Sequence, residues 1–469
     1  MKKRLSCIFL SIIFLFVLTK ADNGSQIVSL PEGITLIPHG YGHIEAGQIV
    51  SGNLKYEDIS TNNNQYGISH VWTEDALVNL GLEVLYKKHL QLVFSLFSKL
   101  YFSYPQFFQK DRYTKNLRQD VFFDEVYAKY TRGNPDVAEF YGQIGYFKYK
   151  YNPDVRNLGE YLFRTQTYPA FIDNFFDFPM QRLLGLRAGA KLIKSLDIDL
   201  FFISQTVYPA MNWSLAGIIN YDVANLNFIE IGAGIDFAHL FDVYTPNSFP
   251  ADGGDPTNLH SDVNAYYLEP GDTTKHYYTF KGTKVMGRLS IDPKAFIKTN
   301  IFGENDLRLY AEACIVGLKN YPDSGYLGGS SLLTLVAPSY NKIAEKTPIV
   351  IGFNFPAFKI LDVLNLEVEY FGAKYYNDFS YAINKGSAPV PNPSGINAWH
   401  TDPNAPKKSD IKWTVYAKRS FFNGHFAITG LIGRDHMRLP CAQYDLEYWN
   451  DLLVTDKDWW WVIKTSWMF

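Results

Sequence analysis

Residues 227–243 read Asn-Phe-Ile-Glu-Ile-Gly-Ala-Gly-Ile-Asp-Phe-Ala-His-Leu-Phe-Asp-Val. Ile229, Ile231, Ala233, Ile235, Phe237 and Phe241 fall on one parity; Glu230, Gly232, Gly234, Asp236 and Asp242 fall on the other. Side chains of a strand alternate between its two faces, so this stretch is a strand with one apolar and one polar side. Residues 307–318 and 362–376 repeat the pattern, with Leu364, Leu366, Val368 and Tyr370 set against Asn365, Glu367 and Glu369.

Marking every run of this kind predicts sixteen strands: 37–50, 76–86, 90–102, 120–131, 137–151, 182–193, 197–208, 212–223, 227–243, 277–291, 307–318, 346–356, 362–376, 411–420, 425–438 and 458–469. Runs of ten to fifteen residues exceed the ~5–6 usual in soluble sheets and match the ~9–11 that cross a bilayer at a tilt. Long and short connections alternate. The long ones are 51–75, 103–119, 152–181, 244–276, 319–345, 377–410 and 439–457; two connections break the rule, 209–211 being short and 292–306 long. An even number of strands with long loops at one end and tight turns at the other is the layout of a transmembrane antiparallel β-barrel. Closure follows from the solvent: lipid offers no hydrogen bonds, and only a closed sheet has no unpaired edge.

Composition agrees. The 469 residues include 35 Phe and 33 Tyr, enough to girdle both interfaces of a barrel, and a formal charge of −3 argues against a basic nucleic-acid binder. Three cysteines show no C-x-x-C pairing and make no disulfide scaffold. Lys2, Lys3 and Arg4 precede the apolar run Ile8 to Leu18, with Ala21 at a small-residue cleavage site. This predicts a signal peptide over 1–21, a periplasmic segment over 22–36 and a barrel over 37–469. Removing four basic residues and no acidic one moves the charge from −3 to −7.

The chain ends Trp459-Trp-Trp-Val-Ile-Lys-Thr-Ser-Trp-Met-Phe469, with Trp461, Ile463, Trp467 and Phe469 on one parity. This resembles the terminal strand of Gram-negative outer-membrane β-barrel proteins, where a last aromatic and alternating hydrophobics are the signal read by the barrel-assembly machinery. Thr465 departs from that pattern at a position more often apolar. The architecture is similar to the sixteen-stranded porins over residues 37–469, without a motif that aligns to a specific family. The resemblance implies the outer membrane, with its lipid and lipopolysaccharide, as location, with turns periplasmic and loops extracellular. It implies periplasmic chaperones as partners in export, small polar solutes as cargo, and a homotrimer by analogy.

The same resemblance implies that the third long connection, 152–181, folds into the lumen. Its Glu160, Arg164, Asp173 and Asp177 are the expected constriction charges, and Phe171, Ile172, Phe175, Phe176 and Phe178 argue for packing on the wall with the acids facing the channel. The expected lumenal wall carries Arg187, Lys191, Glu230, Asp236, Lys284, Arg288, Arg308 and Glu312. Two roles compete for them: a transverse field that sorts solutes, or cross-strand ion pairs. Tyr41, Tyr127, Tyr141, Tyr310 and Phe371 add aromatic faces for a path taken by sugars.

Catalytic and metal constellations are poor. His39 and His43 share a strand face too far apart for one metal, Asp435-His436 with Cys441 lacks a nucleophile's context, and Asp252 to Asp255 is ordinary turn chemistry. No cofactor, nucleic acid or turnover is expected. The expectation is passive diffusion through a sieve of given width and charge; the alternatives are a structural or adhesive barrel with a blocked lumen and, behind it, a barrel enzyme.

Overall fold

The computed structural model describes residues 28–30, 33–52, 55–58, 64–67, 69–70, 72–101, 118–134, 137–156, 181–193, 195–204, 213–223, 228–241, 265–267, 276–277, 282–297, 299–315, 318, 325–327, 334–336, 342–372, 409–434, 453 and 455–469. Seventeen strands form one sheet: Val28–Leu30 is a short strand paired with the start of the next, and the other sixteen make the wall. They are β1 (Ile34–Ser51), β2 (Trp72–Tyr86), β3 (Leu90–Tyr101), β4 (Arg118–Asn134), β5 (Ala138–Tyr149), β6 (Gln181–Ile193), β7 (Leu196–Ser204) and β8 (Trp213–Asp222). Then follow β9 (Ile229–Phe241), β10 (Gly282–Ile291), β11 (Leu309–Ile315), β12 (Ile349–Asn354), β13 (Val363–Tyr370), β14 (Ile411–Phe421), β15 (Phe426–Arg434) and β16 (Trp459–Met468). Each pairs antiparallel with its successor, and β16 returns to β1 with Met468 opposite Tyr41 and Lys464 opposite Glu45. Gly40 and Phe469 seal the seam, each N–H donating to the other's carbonyl at 2.9 and 3.0 Å. The sheet is a closed barrel, and all sixteen expected strands are in it.

Strand ends differ from the sequence reading where other local chemistry takes over. The run expected from 346 begins at Ile349, because Ile343–Lys346 winds into a 3-10 turn. The run expected from 277 joins the barrel only at Gly282; His276–Tyr277 pairs elsewhere. There it forms a small sheet with Ala265–Tyr267, Gly325–Leu327 and Thr334–Val336, which ties the β9–β10 connection to the β11–β12 one. Tight turns close the opposite end. Lys87-Lys88, Phe358-Lys359 and Phe422-Asn423 each hold two successive residues at positive φ, the twist a two-residue hairpin needs. The long connection at that end, 292–308, is built: Pro293–Phe296 forms a 3-10 turn capped by Asp292, and Asp306 accepts from the Gly303 and Phe358 N–H groups at 2.8 and 3.1 Å.

The two faces of the wall have opposite solvents. Ile231, Ile235 and Phe237 of β9 are exposed on the outside, as are Leu289, Ile351, Val368 and Ile463 on later strands. Their sequence neighbours Asp236, Lys284, Arg288, Glu312, Glu367 and Glu369 are buried on the inside. An exposed apolar exterior around a closed ladder is the surface that a bilayer, not water, solvates.

One hairpin leaves the wall. Pairing of β4 with β5 stops at Val126–Tyr146, and pairing of β6 with β7 stops at Leu184–Ser204, yet β5 and β6 stay paired to Tyr149–Gln181. The departure sits at Gly145 and Gly185, directly opposite one another, with φ of +128° and +155°. Beyond that pair the hairpin bends inward and both its sides are covered. Phe147, Tyr149 and Leu183 face β7 to β13 and pack with Phe201, Ile203, Ala216, Ile218, Met286, Cys314, Val350 and Phe371. This inner core departs from the polar parity that alternation assigns to the inside: these wall positions are apolar because a hairpin end covers them, each buried large side chain contributing roughly 1.5–3 kcal/mol.

Candidate functional site

The site is the inner wall and what the bent hairpin places against it. On the β1–β4 side, a bulge supplies the anchor. Ser95 of β3 faces Glu125 and Leu96 faces Phe123, so Asp124 is the extra residue, and its side chain turns inward. Asp124 accepts from Arg182 of the hairpin, from Lys148 at 2.5 Å and from Asn79 of β2 at 2.7 Å. Lys148 also meets Glu125 at 3.4 Å and lies over the Tyr41 ring. The hairpin end is thus held by apolar packing on one side and by charge on the other.

Past Tyr149 the chain crosses to the far wall. Asn152-Pro153-Asp154 forms the turn, with the Asp154 N–H donating to Asn152 Oδ1 at 3.1 Å. Asp154 then accepts from Ser290 Oγ of β10 at 2.5 Å and from Arg308 at 2.6 Å. The Arg156 N–H donates to Glu367 of β13 at 2.5 Å, and its guanidinium reaches Asn305 at 3.1 Å. Tyr151 lies under the Arg288 guanidinium. Burial opposes the Arg308 charge, but the hydrogen bond and charge of Asp154, aided by Asp292, hold its pKa above the ordinary arginine value. Asp154 belongs to the connection whose acids were expected to face the channel; it is 2% exposed and paired instead, because a buried carboxylate is stable only with partners.

The eight expected wall residues fall as follows. Arg187 makes a two-pronged pair with Asp199, both contacts 2.8 Å, and lies over Tyr141. Lys191 is exposed at the turn end, opposite Glu139 and Asp197. Glu230 accepts from Arg288, which also donates to Asn220 at 3.0 Å; Arg288 stands opposite Glu312. Asp236 stands opposite Lys284, and Arg308 bridges Asp154 and Asp292. Glu160, Arg164, Asp173 and Asp177 lie outside the described residues, as do residues 1–21, Asp252, Asp255, Asp435, His436 and Cys441. Trp461, Ile463, Trp467 and Phe469 occupy the outward parity of β16, with Trp461 edge-on to Trp72 at 5.6 Å.

Sequence reasoning missed three clusters. One is the Asp124–Arg182–Lys148 anchor. Another is Tyr310–Glu367–Asn365, where the phenol donates to Glu367 at 2.5 Å and accepts from Asn365 at 2.9 Å. The third is His43–Asp75–Lys99, at 2.9 and 3.2 Å, two residues along β1 from the Glu45–Lys464 pair at 3.3 Å. For the third cluster the available signal was opposite charge on neighbouring strands, Asp75 beside Lys99 and Glu45 beside Lys464. Of the expected lumenal aromatics, Tyr310 is buried against Glu367 and Asn365 of the wall and Phe371 in the core under the hairpin end, while Tyr41, Tyr127 and Tyr141 are half-buried on the inner face.

No family model matches the chain, and no curated protein matches it. Among solved structures it is similar to a mutant of the Rh. blastica porin, with TM-score 0.39 and 8% identity over 92% of this chain and all of that one. It is also similar to Salmonella typhi OmpF in complex with daunomycin, with TM-score 0.44 and 10% identity over 94% of this chain and 99% of that one.

Proposed function

We propose that this protein is an outer-membrane channel for the passive diffusion of small polar solutes, working by width and charge without turnover. The observation that carries the reading is the two-faced closed wall: an apolar outside that needs lipid, and an inside dense in charged and amide groups. So many paired charges fit a wet interior far better than a dry one. The inner wall on β1 to β4 and β14 to β16, with Tyr41, His43, Glu45, Glu83, Lys129, Tyr416, Lys418 and Lys464 partly exposed, is the surface along which solutes pass. Its acids and bases are mixed, which suits neutral polar solutes such as sugars.

Within this reading Glu160, Arg164, Asp173 and Asp177 supply the charges of the constriction, the Trp461 to Phe469 parity is the assembly signal, and residues 1–21 direct export. Three copies in the membrane are part of the same proposal. Refolded protein in a planar bilayer should give stable open steps. The Asp173→Asn, Asp177→Asn pair should raise the anion-to-cation permeability ratio roughly twofold. An unchanged ratio removes those residues from the pathway.

A blocked barrel is the second reading, favoured by one observation: the inner wall of β9 to β13 is almost fully buried, with a chain segment fastened across part of it. Silence in the bilayer from protein that has inserted would establish it over the channel.

A further inference from the structure

We propose that Asn152–Arg156 is a releasable strap, latched across the lumen by Asp154 on Ser290 and Arg308, whose release widens the path. The proposal rests on the channel reading. Its basis is the contrast between the two parts of the inward chain. Up to Tyr151 the hairpin is fixed by the apolar core and by Asp124 with Arg182. Among the described residues beyond Tyr151, 152–156, only Val155 adds a buried apolar side chain, and the rest of their attachment is polar.

That polar seam is imperfectly matched. Arg156 Nε, Arg288 Nη1 and Arg308 Nε are buried without a protein hydrogen-bond partner, although each side chain lies at or beside the strap. Burying such atoms unpaired is unfavourable, so the latched state is opposed by a cost that release into water removes. The strap also has a defined pivot. Asn152-Pro153-Asp154 keeps its own turn through the Asp154 N–H bond, so the segment can swing about Tyr151 as a unit. Arg308 does not lose all pairing when Asp154 leaves, because Asp292 stays 3.5 Å away. Two packings of one segment, each with the arginine paired, make a bistable element.

The test locks and unlocks the latch. Asp154→Cys with Ser290→Cys joins strap to wall by a disulfide under oxidising conditions, and Asp154→Asn removes the ionic part. In a planar bilayer, the reduced double-cysteine protein and the Asp154→Asn protein should show a conductance at least about twofold above the oxidised one. Equal conductance in oxidised and reduced protein overturns the strap while leaving the channel standing. A second measurement does not depend on conduction. Ser290→Cys, buried beneath Asp154, should react with a water-soluble maleimide several-fold faster when Asp154→Asn is added, counted against the unsubstituted protein's own thiols. Equal labelling rates sink the strap. Labelling that accelerates in a protein that never conducts keeps the strap and ends the channel reading.

Discussion

Replacing Gly145 or Gly185 with alanine should cost on the order of 3 kcal/mol of barrel stability each. Both sit at φ values that L side chains rarely adopt, and neither site has room for a Cβ. At Gly145 the added carbon would stand 2.3 Å from the Val126 carbonyl oxygen, and at Gly185 it would stand 2.2 Å from that of Phe202. Those neighbours are backbone atoms of the flanking strands, so no side chain can turn aside. The two glycines are also paired with each other, which leaves relief neither along nor across the hairpin. Gly142, three residues before Gly145 on the same strand, is the control: nothing lies within 4 Å of its Cβ position, and alanine there should change stability by no more than about 0.5 kcal/mol. Urea unfolding of the refolded protein in detergent reads all three. If Gly145→Ala matches Gly142→Ala, the inward bend does not depend on the glycine pair.

The bend also marks the limit of what period-two alternation can say. Alternation located the sixteen strands because a wall between lipid and water leaves a parity signal at every second residue, as in Ile229 to Phe237. It is silent about Gly145 and Gly185, since glycine carries neither parity. A glycine inside a strand often marks a bend, but β5 and β6 hold Gly142 and Gly189 as well, and only the register shows which two face each other. Alternation is equally silent about what covers the inner face. Phe147, Leu183, Phe201 and Ile203 sit at inward positions where a polar lumen would want hydrogen-bonding groups. Their apolar character has a cause only once the hairpin end is seen packed on them. Asp154 was legible only as an acid of the long connection, expected to face the channel, and its pairing with Ser290 and Arg308, more than a hundred residues downstream, was not. Pairing at such sequence distance is set by closure of the barrel, which no local pattern encodes.

The buried anchor of the hairpin should respond unequally to loss of its two halves. Asp124→Ala strips a carboxylate, 1% exposed, from beside Arg182, Lys148 and Asn79. Lys148 keeps Glu125, but Arg182, 2% exposed, loses the carboxylate to which two of its nitrogens donate, and breaking a buried pair from one side costs about 3–5 kcal/mol. Arg182→Ala is milder, about 2 kcal/mol, because Asp124 retains the Lys148 ammonium and the Asn79 amide. Asp124→Leu combined with Arg182→Met replaces the pair by apolar volume and should recover most of the loss, since removing both charges of a buried pair is far cheaper than removing one. Denaturation midpoints rank the three variants. The same proteins in a bilayer separate an anchor from a mere stabiliser. If the pair is what ties the hairpin end to the β1–β4 wall, Asp124→Ala should also make the conducting level noisy, while a destabilising substitution on the lipid-facing side, such as Ile231→Ala, should leave it steady. Quiet steps from Asp124→Ala would mean that the apolar core around Phe147 and Leu183 holds the hairpin unaided.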